Sequence, residues 1–275
     1  MASKQKVILV TGASSGIGLA VAAVLSSKGH RVFGTSRSVV SGSVNDGFEM
    51  IAMDVTNERS VIDAVEFIKR KAGKLDVVVN NAGLGFVGPI ELASDAEAKE
   101  IFETNVFGVL NVCRHTIPLL RESGGGHIIN ITSIAAQMGL PFRGIYSSSK
   151  FAVEGFTESL SQEVRQFGIK VCLIEPGDFR TNINQNRRVA AITDSSIYVY
   201  QQENVLKKIS AEVSAAKTPE AIGHKIASII QQENPRLRFR VANIMQRFTI
   251  TLMRILPSRL FEKMVMNHYD IPDKS

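Results

Sequence analysis

The chain has 275 residues, of which 44% are hydrophobic and 21% charged. That balance supplies a core and excludes a disordered chain. The net charge of +6 is concentrated: Arg236, Arg238, Arg240, Arg247, Arg254, Arg259 and Lys263 stand against Glu262 alone, and the rest balances at 25 basic and 25 acidic residues. A basic segment suits an anionic surface or ligand, and no nucleic-acid motif accompanies it, so nucleic acid is not an expected partner. Cys113 and Cys172, in apolar segments without a C-x-x-C, read as buried free thiols of a reducing compartment. The apolar run at 7–10 is too short for a signal-peptide core, and no run reaches the ~18 residues of a membrane span. The expectation is a cytoplasmic protein without a metal site.

Strand-like and helix-like segments alternate along the chain. Residues 6–10 read as a strand and 16–28 as a helix stopped by Gly29; 31–36 and 49–53 are further strands. Asn57 caps a helix with Val61, Ile62, Val65 and Ile68 on one face. The strand at 75–80 holds three successive valines, the pattern of burial on both faces. Ser94 and Glu97 fit a capping box. A long helix over 103–121, a strand at 126–131, a helix over 146–167 and a strand at 169–175 follow. This alternation predicts an α/β fold, a doubly wound parallel sheet of Rossmann type with helices on both faces. No repeat or linker divides it, so a single domain with a helical C-terminal extension is expected. In that extension Thr218-Pro219-Glu220 starts a helix. Leu237, Phe239 and Val241 alternate with arginines as in a half-exposed strand. Met245, Phe248, Leu252 and Ile255 line one helical face opposite Arg247, Thr251 and Arg254, and Pro257 ends that helix.

Four motifs carry the chemistry. Thr11-Gly12-Ala13-Ser14-Ser15-Gly16-Ile17-Gly18 joins the first strand to the first helix. Gly12 permits a tight turn, Gly16 lets a pyrophosphate approach backbone N–H groups, and Gly18 lets helix and strand pack closely. The same residues match the G-x-S-x-G of serine hydrolases, but that elbow follows a later strand and needs an acid and a histidine in a constellation that is missing. Asn80-Asn81-Ala82-Gly83 follows the valine strand, Ser133 ends the strand at 126–131, and Tyr146 precedes Lys150 by four residues. A free tyrosine ionises near pH 10, so proton exchange at neutral pH needs a cation, and i, i+4 places Lys150 on the same helical face. Ser133 can hold a substrate oxygen beside Tyr146. At the end of the second strand Ser36 stands where NAD binders usually place an acid, and Arg37 can pair with a 2′-phosphate, so NADP(H) is expected.

This order and spacing, over roughly residues 5–182, resembles the short-chain dehydrogenase/reductase family. The resemblance implies a catalytic set of Asn105, Ser133, Tyr146 and Lys150, with Asn105 holding a water that relays protons from the lysine. It implies cofactor contacts from Gly12, Ser14, Ser15, Gly16, Ile17 and Gly18, from Ser36 and Arg37, from Asp54 and Val55 at the adenine, and from Asn81, Ala82 and Gly83 at the ribose. Tyr146 and Lys150 also meet the nicotinamide end, and Pro176, Gly177 and Thr181 close over it. It implies pairing into a homodimer or homotetramer through the helices around 103–121 and 146–167.

The substrate pocket is expected from 84–87, 135–142 and a lid over 182–215. Leu84, Phe86, Val87, Met138, Leu140 and Phe142 favour a large apolar carbonyl or alcohol, while Arg187 and Arg188 in the lid can meet a carboxylate or phosphate. Gly139-Leu140-Pro141-Phe142 before Tyr146, with Lys150-Phe151-Ala152, resembles the branch of 17β-hydroxysteroid and retinol dehydrogenases. A 3-oxoacyl-carrier-protein reductase and a non-catalytic NADPH sensor are the alternatives. The basic C-terminus is expected to cover the chain's own core or a partner subunit, with peripheral membrane contact as the other possibility.

Overall fold

The computed structural model describes residues 4–181, 187–193 and 195–273. Its frame is an eight-stranded sheet built from β1 (Val7–Val10), β2 (Arg31–Ser36), β3 (Val44–Asn45), β4 (Phe48–Ala52), β5 (Val77–Asn80), β7 (Gly126–Ile131), β8 (Ile169–Pro176) and β10 (Arg238–Val241), in the order β10-β8-β7-β5-β1-β2-β4-β3. All neighbours are parallel except the short edge pair β3–β4. Two small strands, β6 (Phe86–Val87) and β9 (Arg188–Val189), form a separate parallel pair.

The strands are apolar on both sides because helices cover both. On one face α2 (Glu58–Ala72), α4 (Gly108–Glu122) and α5 (Gly144–Glu163) bury Val7 and Leu9 of β1. On the other, α1 (Gly16–Ser27) and the helix Glu220–Ile229 bury Ile8 and Val10. The period-two alternation along one apolar strand thus feeds two cores. Chain order reverses between β1 and β5, which opens a crevice at their carboxyl ends.

Several boundaries differ from the sequence expectations. The helix expected over 103–121 is instead a π-helical turn, Glu103–Phe107, followed by α4, and α3 (Asp95–Phe102) runs straight into it. The Ser94–Glu97 capping box that starts α3 is present as expected. The helix expected over 146–167 starts at Gly144 and ends at Glu163, with a 3₁₀ turn after it. The expected lid over 182–215 contains a full helix, α6 (Val199–Ala215), while 182–186 lie outside the described residues. Both cysteines are buried and free, as expected.

The C-terminal segment departs most. After α7 (Glu220–Ile229), β10 joins the main sheet beside β8, and Arg238 and Arg240 turn inward. Arg240 Nε reaches Glu175 at 2.7 Å, and Arg238 reaches Glu154 at 3.0 Å and Glu175 at 3.3 Å. Glu175 is fully buried and Glu154 nearly so, so these arginines neutralise interior carboxylates rather than an external anion. The following helices are α8 (Ile244–Ile255) and α9 (Ser258–His268), and the expected cover of the chain's own core is made by little of α8. Met245, Phe248 and Ile255 face solvent, and Ile250 is the buried contact instead. The predicted apolar face is therefore real but uncovered.

Candidate active site

The turn after β1 is pinned to the end of β5 by Thr11 and Asn81. The N–H groups of Asn81 and Ala82 both donate to Thr11 Oγ1 at 2.9 Å, and Asn81 Nδ2 donates to Thr11 O and Gly12 O. Gly12 and Gly16 adopt φ of 67° and 57°, where side chains are disfavoured. Gly18 acts differently: a Cβ there would sit 2.2 Å from Gly12 O and 2.4 Å from Asn81 Nδ2. It is a packing glycine, as expected from the close helix–strand approach. Ser15 caps α1 in extended geometry without spending its side chain on the helix amides, which leaves those N–H groups and the positive end of the helix dipole aimed into the crevice.

A cleft of about 530 Å³ runs from this turn to Tyr146. Of the predicted residues, Gly12, Ser14, Ser15, Gly16, Ile17, Ser36, Arg37, Asp54, Val55, Asn81, Ala82, Gly83, Tyr146, Lys150 and Thr181 line it. Gly18, Asn105, Ser133, Pro176 and Gly177 do not. Pro176 pairs with Val241, and Gly177 donates its N–H to Val241 O at 3.0 Å. The close approach of Ala242 and Gln246 leaves no room for a side chain at 177, so this pair supports the C-terminal strand from behind the cleft. Sequence reasoning missed Thr104, Ile131 and Thr132 as lining residues, because residues that flank a motif carry no signal of their own.

At the deep end, α5 presents Tyr146 and Lys150 together, with Lys150 Nζ 5.9 Å from the Tyr146 ring centroid. Lys150 is buried and donates to Ile131 O at 3.1 Å. Burial pulls its ammonium below the usual lysine range, and the charge of Tyr146 opposes that shift. Asn105 is fully buried in the π-turn, a local widening often found at functional sites. Its Oδ1 accepts from Leu84 N–H at 2.7 Å, and its Nδ2 donates to Leu84 O and Ser149 Oγ. Asn105 Oδ1 and Lys150 Nζ converge on Gly83, where a Cβ would lie 3.0 and 3.5 Å from them. Glycine at 83 thus keeps a side chain from crowding both groups. Ser133, at the end of β7, accepts the Ala135 N–H on Oγ at 3.1 Å, which leaves its hydroxyl proton available to a substrate oxygen.

Arg187 and Arg188, expected in a lid, separate. Arg188 forms a bidentate pair with Glu100 of α3 at 2.6 and 3.0 Å, while Arg187 lies along Gly85 toward Tyr146. Among the described residues no cluster of three His, Cys, Asp or Glu side chains is placed to hold a metal.

Residues 6–191 match the family model of the short chain dehydrogenases. The chain belongs to the short-chain dehydrogenase family. It is 41% identical over 270 residues to a 3-ketodihydrosphingosine reductase of Bacteroides thetaiotaomicron, covering 98% of this chain and 99% of that one. It is 32% identical to human retinol dehydrogenase 8, over 89% of this chain and 83% of the relative. Among solved structures, a short-chain dehydrogenase from Streptomyces avermitilis superposes with a TM-score of 0.80 at 29% identity, over 98% of both chains. A 3-ketoacyl-(acyl-carrier-protein) reductase from Brucella melitensis, solved with NADH, superposes at 0.75 with 26% identity, over 88% of this chain and 98% of that one. This is therefore an oxidoreductase of the short-chain dehydrogenase family, and its likeness to retinol dehydrogenase 8 agrees with the branch read from its sequence.

Proposed function

We propose that the chain is an NADP(H)-dependent oxidoreductase that interconverts a carbonyl and an alcohol on a large, apolar, lipid-like substrate. The observation that carries this reading is one cleft lined at one end by the glycine turn and at the other by Tyr146 and the buried Lys150. The uncapped N–H groups of α1 would receive the pyrophosphate, and Gly83, Tyr146 and Lys150 of the cleft lining would hold the nicotinamide end. Bound there, the nicotinamide supplies or accepts a hydride. Ser133 donates a hydrogen bond to the substrate oxygen, and Tyr146 donates the proton in the reducing direction. Lys150, close to Asn105, keeps Tyr146 supplied through a held water. Arg37, on the exposed lip of the cleft after β2, receives the 2′-phosphate.

The substrate class is supported by Leu84, an apolar residue of the cleft lining that packs with the partly buried Leu140 against Tyr146, and by the relative whose name specifies 3-ketodihydrosphingosine. The Brucella carrier-protein reductase favours a second reading, a 3-oxoacyl thioester substrate. The whole chain acts as one cytoplasmic unit, and the exposed Phe107, Phe151 and Phe167 beside α4 and α5 support pairing into a dimer or tetramer. The test follows NADPH consumption across ketones and aldehydes of graded chain length, a 3-oxoacyl thioester included. Long-chain ketones are consumed fastest, and Tyr146→Phe abolishes turnover while cofactor binding persists. Retained turnover in that variant overturns the assignment of Tyr146.

A further inference from the structure

The turn that carries Ser133 is tied at both ends to one carboxylate of α5. Thr132 Oγ1 shares its proton between Glu154 Oε1 at 3.3 Å and Ile174 O at 3.1 Å. Five residues on, Gln137 Nε2 donates to Glu154 Oε2 at 2.6 Å. Between them lie Ser133 and the 3₁₀ segment Ile134–Ala136. A third bond joins the same helix to the chain just ahead of the turn, from Lys150 Nζ to Ile131 O at 3.1 Å. Glu154 is four residues beyond Lys150 and eight beyond Tyr146, so the three lie along one side of α5. All three are buried, and Glu154 takes no part in the proton-transfer steps.

The bonds inside the turn shape it without fixing where it stands. Ala135 N–H donates to Ser133 Oγ, Ala136 N–H to Ser133 O and Gln137 N–H to Ile134 O. Ala135 packs with Tyr146 in one apolar cluster, but apolar contact is non-directional and does not select one spacing. Hydrogen bonds do, through their narrow range of length and angle. The carboxylate is itself held from the other side. Arg238 of β10 donates to Glu154 at 3.0 Å and reaches Glu158 at 2.6 Å and Glu175 at 3.3 Å. Every group bonded to the Glu154 oxygens among the described residues is a donor, so the turn, the helix and β10 meet at one acceptor.

We propose that Glu154 is a positioning residue of the active site: by holding Thr132 and Gln137, it sets the spacing between Ser133 and Tyr146, the two groups that meet the substrate oxygen. Glu154 lies outside the cleft lining and touches neither substrate nor cofactor. Without it, Gln137 keeps only a long contact to Glu175 Oε1 at 3.4 Å, and the far end of the turn is free to drift. A displacement of about 1 Å at a reacting centre can cost on the order of a hundredfold in rate. The inference rests on the oxidoreductase reading and deepens it.

The full chain with NADPH is given the long-chain ketone it consumes fastest, and kcat, KM and NADPH affinity by fluorescence are read for each variant. Glu154→Leu removes both acceptors. Its kcat and kcat/KM are expected to fall together by about ten- to hundredfold, as when a contact made only in the transition state is lost, while NADPH affinity is kept. Glu154→Gln recovers most of that loss, since its amide oxygen still accepts from Gln137 and its NH2 can donate to the Thr132 hydroxyl. Gln137→Met cuts one tether and leaves the buried charges in place; it lowers kcat in the otherwise unmodified chain and adds nothing to Glu154→Leu. A kcat for Glu154→Leu within about twofold of the unmodified chain overturns the role. So do the absence of recovery in Glu154→Gln, costs that multiply in the double variant, and a loss that follows NADPH affinity. If Glu154→Leu does not fold, Gln137→Met alone decides, and an unchanged kcat there overturns the role. Failure of the unmodified chain to reduce any ketone strikes the oxidoreductase reading itself.

Discussion

Arg238→Met tests the buried carboxylates that anchor the C-terminal strand. The substitution keeps most of the side-chain stem and removes the charge. Glu175 retains Arg240 at 2.7 Å. Glu154, with only 7% of its side chain exposed, retains Gln137 and Thr132 but loses its one cationic partner among the described residues. Burial already holds the Glu154 carboxyl above the ordinary range, with Arg238 and Thr132 pulling it down and Glu175 pushing it up. With Arg238 gone, the cheapest folded state carries a protonated Glu154. Protonating a group of ordinary value 4.5 at pH 7 costs 1.36 kcal/mol per unit, about 3 kcal/mol in all. That ceiling falls at the low end of the ~3–5 kcal/mol seen when a buried pair loses one partner. The folded variant then binds a proton that the unfolded chain does not, so its stability falls as pH rises. The deficit relative to the unmodified chain, whose Glu154 is already raised, is therefore at most about 3 kcal/mol at pH 7 and below about 1 kcal/mol at pH 5. The chain has no tryptophan, so urea unfolding followed by circular dichroism at pH 5, 6 and 7 is the assay. Adding Glu154→Gln recovers most of the loss at pH 7. A deficit independent of pH, or no recovery, refutes the argument.

Gly18→Ala puts a methyl 2.2 Å from Gly12 O and 2.4 Å from Asn81 Nδ2; the turn must open, and dinucleotide affinity measured by calorimetry drops by about tenfold or more while secondary structure is kept. Arg37→Ala removes one solvent-exposed charge-assisted contact, at the lower end of ~1.5–3 kcal/mol, so the NADPH-over-NADH preference in kcat/KM falls by about tenfold; a preference unchanged within twofold means Arg37 does not read the 2′-phosphate. The uncovered face of α8, with Ile244, Met245, Phe248 and Ile255 beside Arg247 and Arg254, is expected to bind vesicles containing anionic lipid and to ignore neutral ones. Phe248→Ser with Ile255→Ser abolishes co-sedimentation if that face is the contact, and leaves it intact if it is not.

The layout of fold and cleft was legible in the sequence because its signals are local. Valine runs are strands buried on both faces, and a glycine turn between strand and helix presents N–H groups wherever it occurs. The i, i+4 spacing put Tyr146 and Lys150 on one helical face before any contact was known. The π-turn at Asn105 was hidden, because one extra residue in a helical turn leaves the apolar pattern of its neighbours intact. The two arginine stretches misled for a different reason. The alternation of Arg236, Arg238 and Arg240 gives a strand with one polar side, but not what that side meets. Tertiary structure set β10 beside β8, opposite the buried Glu175, and turned a basic surface into an internal ion network. It also separated Arg187 from Arg188, adjacent in the chain and opposite in environment, because successive residues of an extended segment point to opposite sides. Sequence alone determined the sheet, the glycine turn after β1 and the Tyr146–Lys150 pair, all set by short-range geometry. Which cations are neutralised by buried carboxylates depended on contacts between residues far apart in the chain.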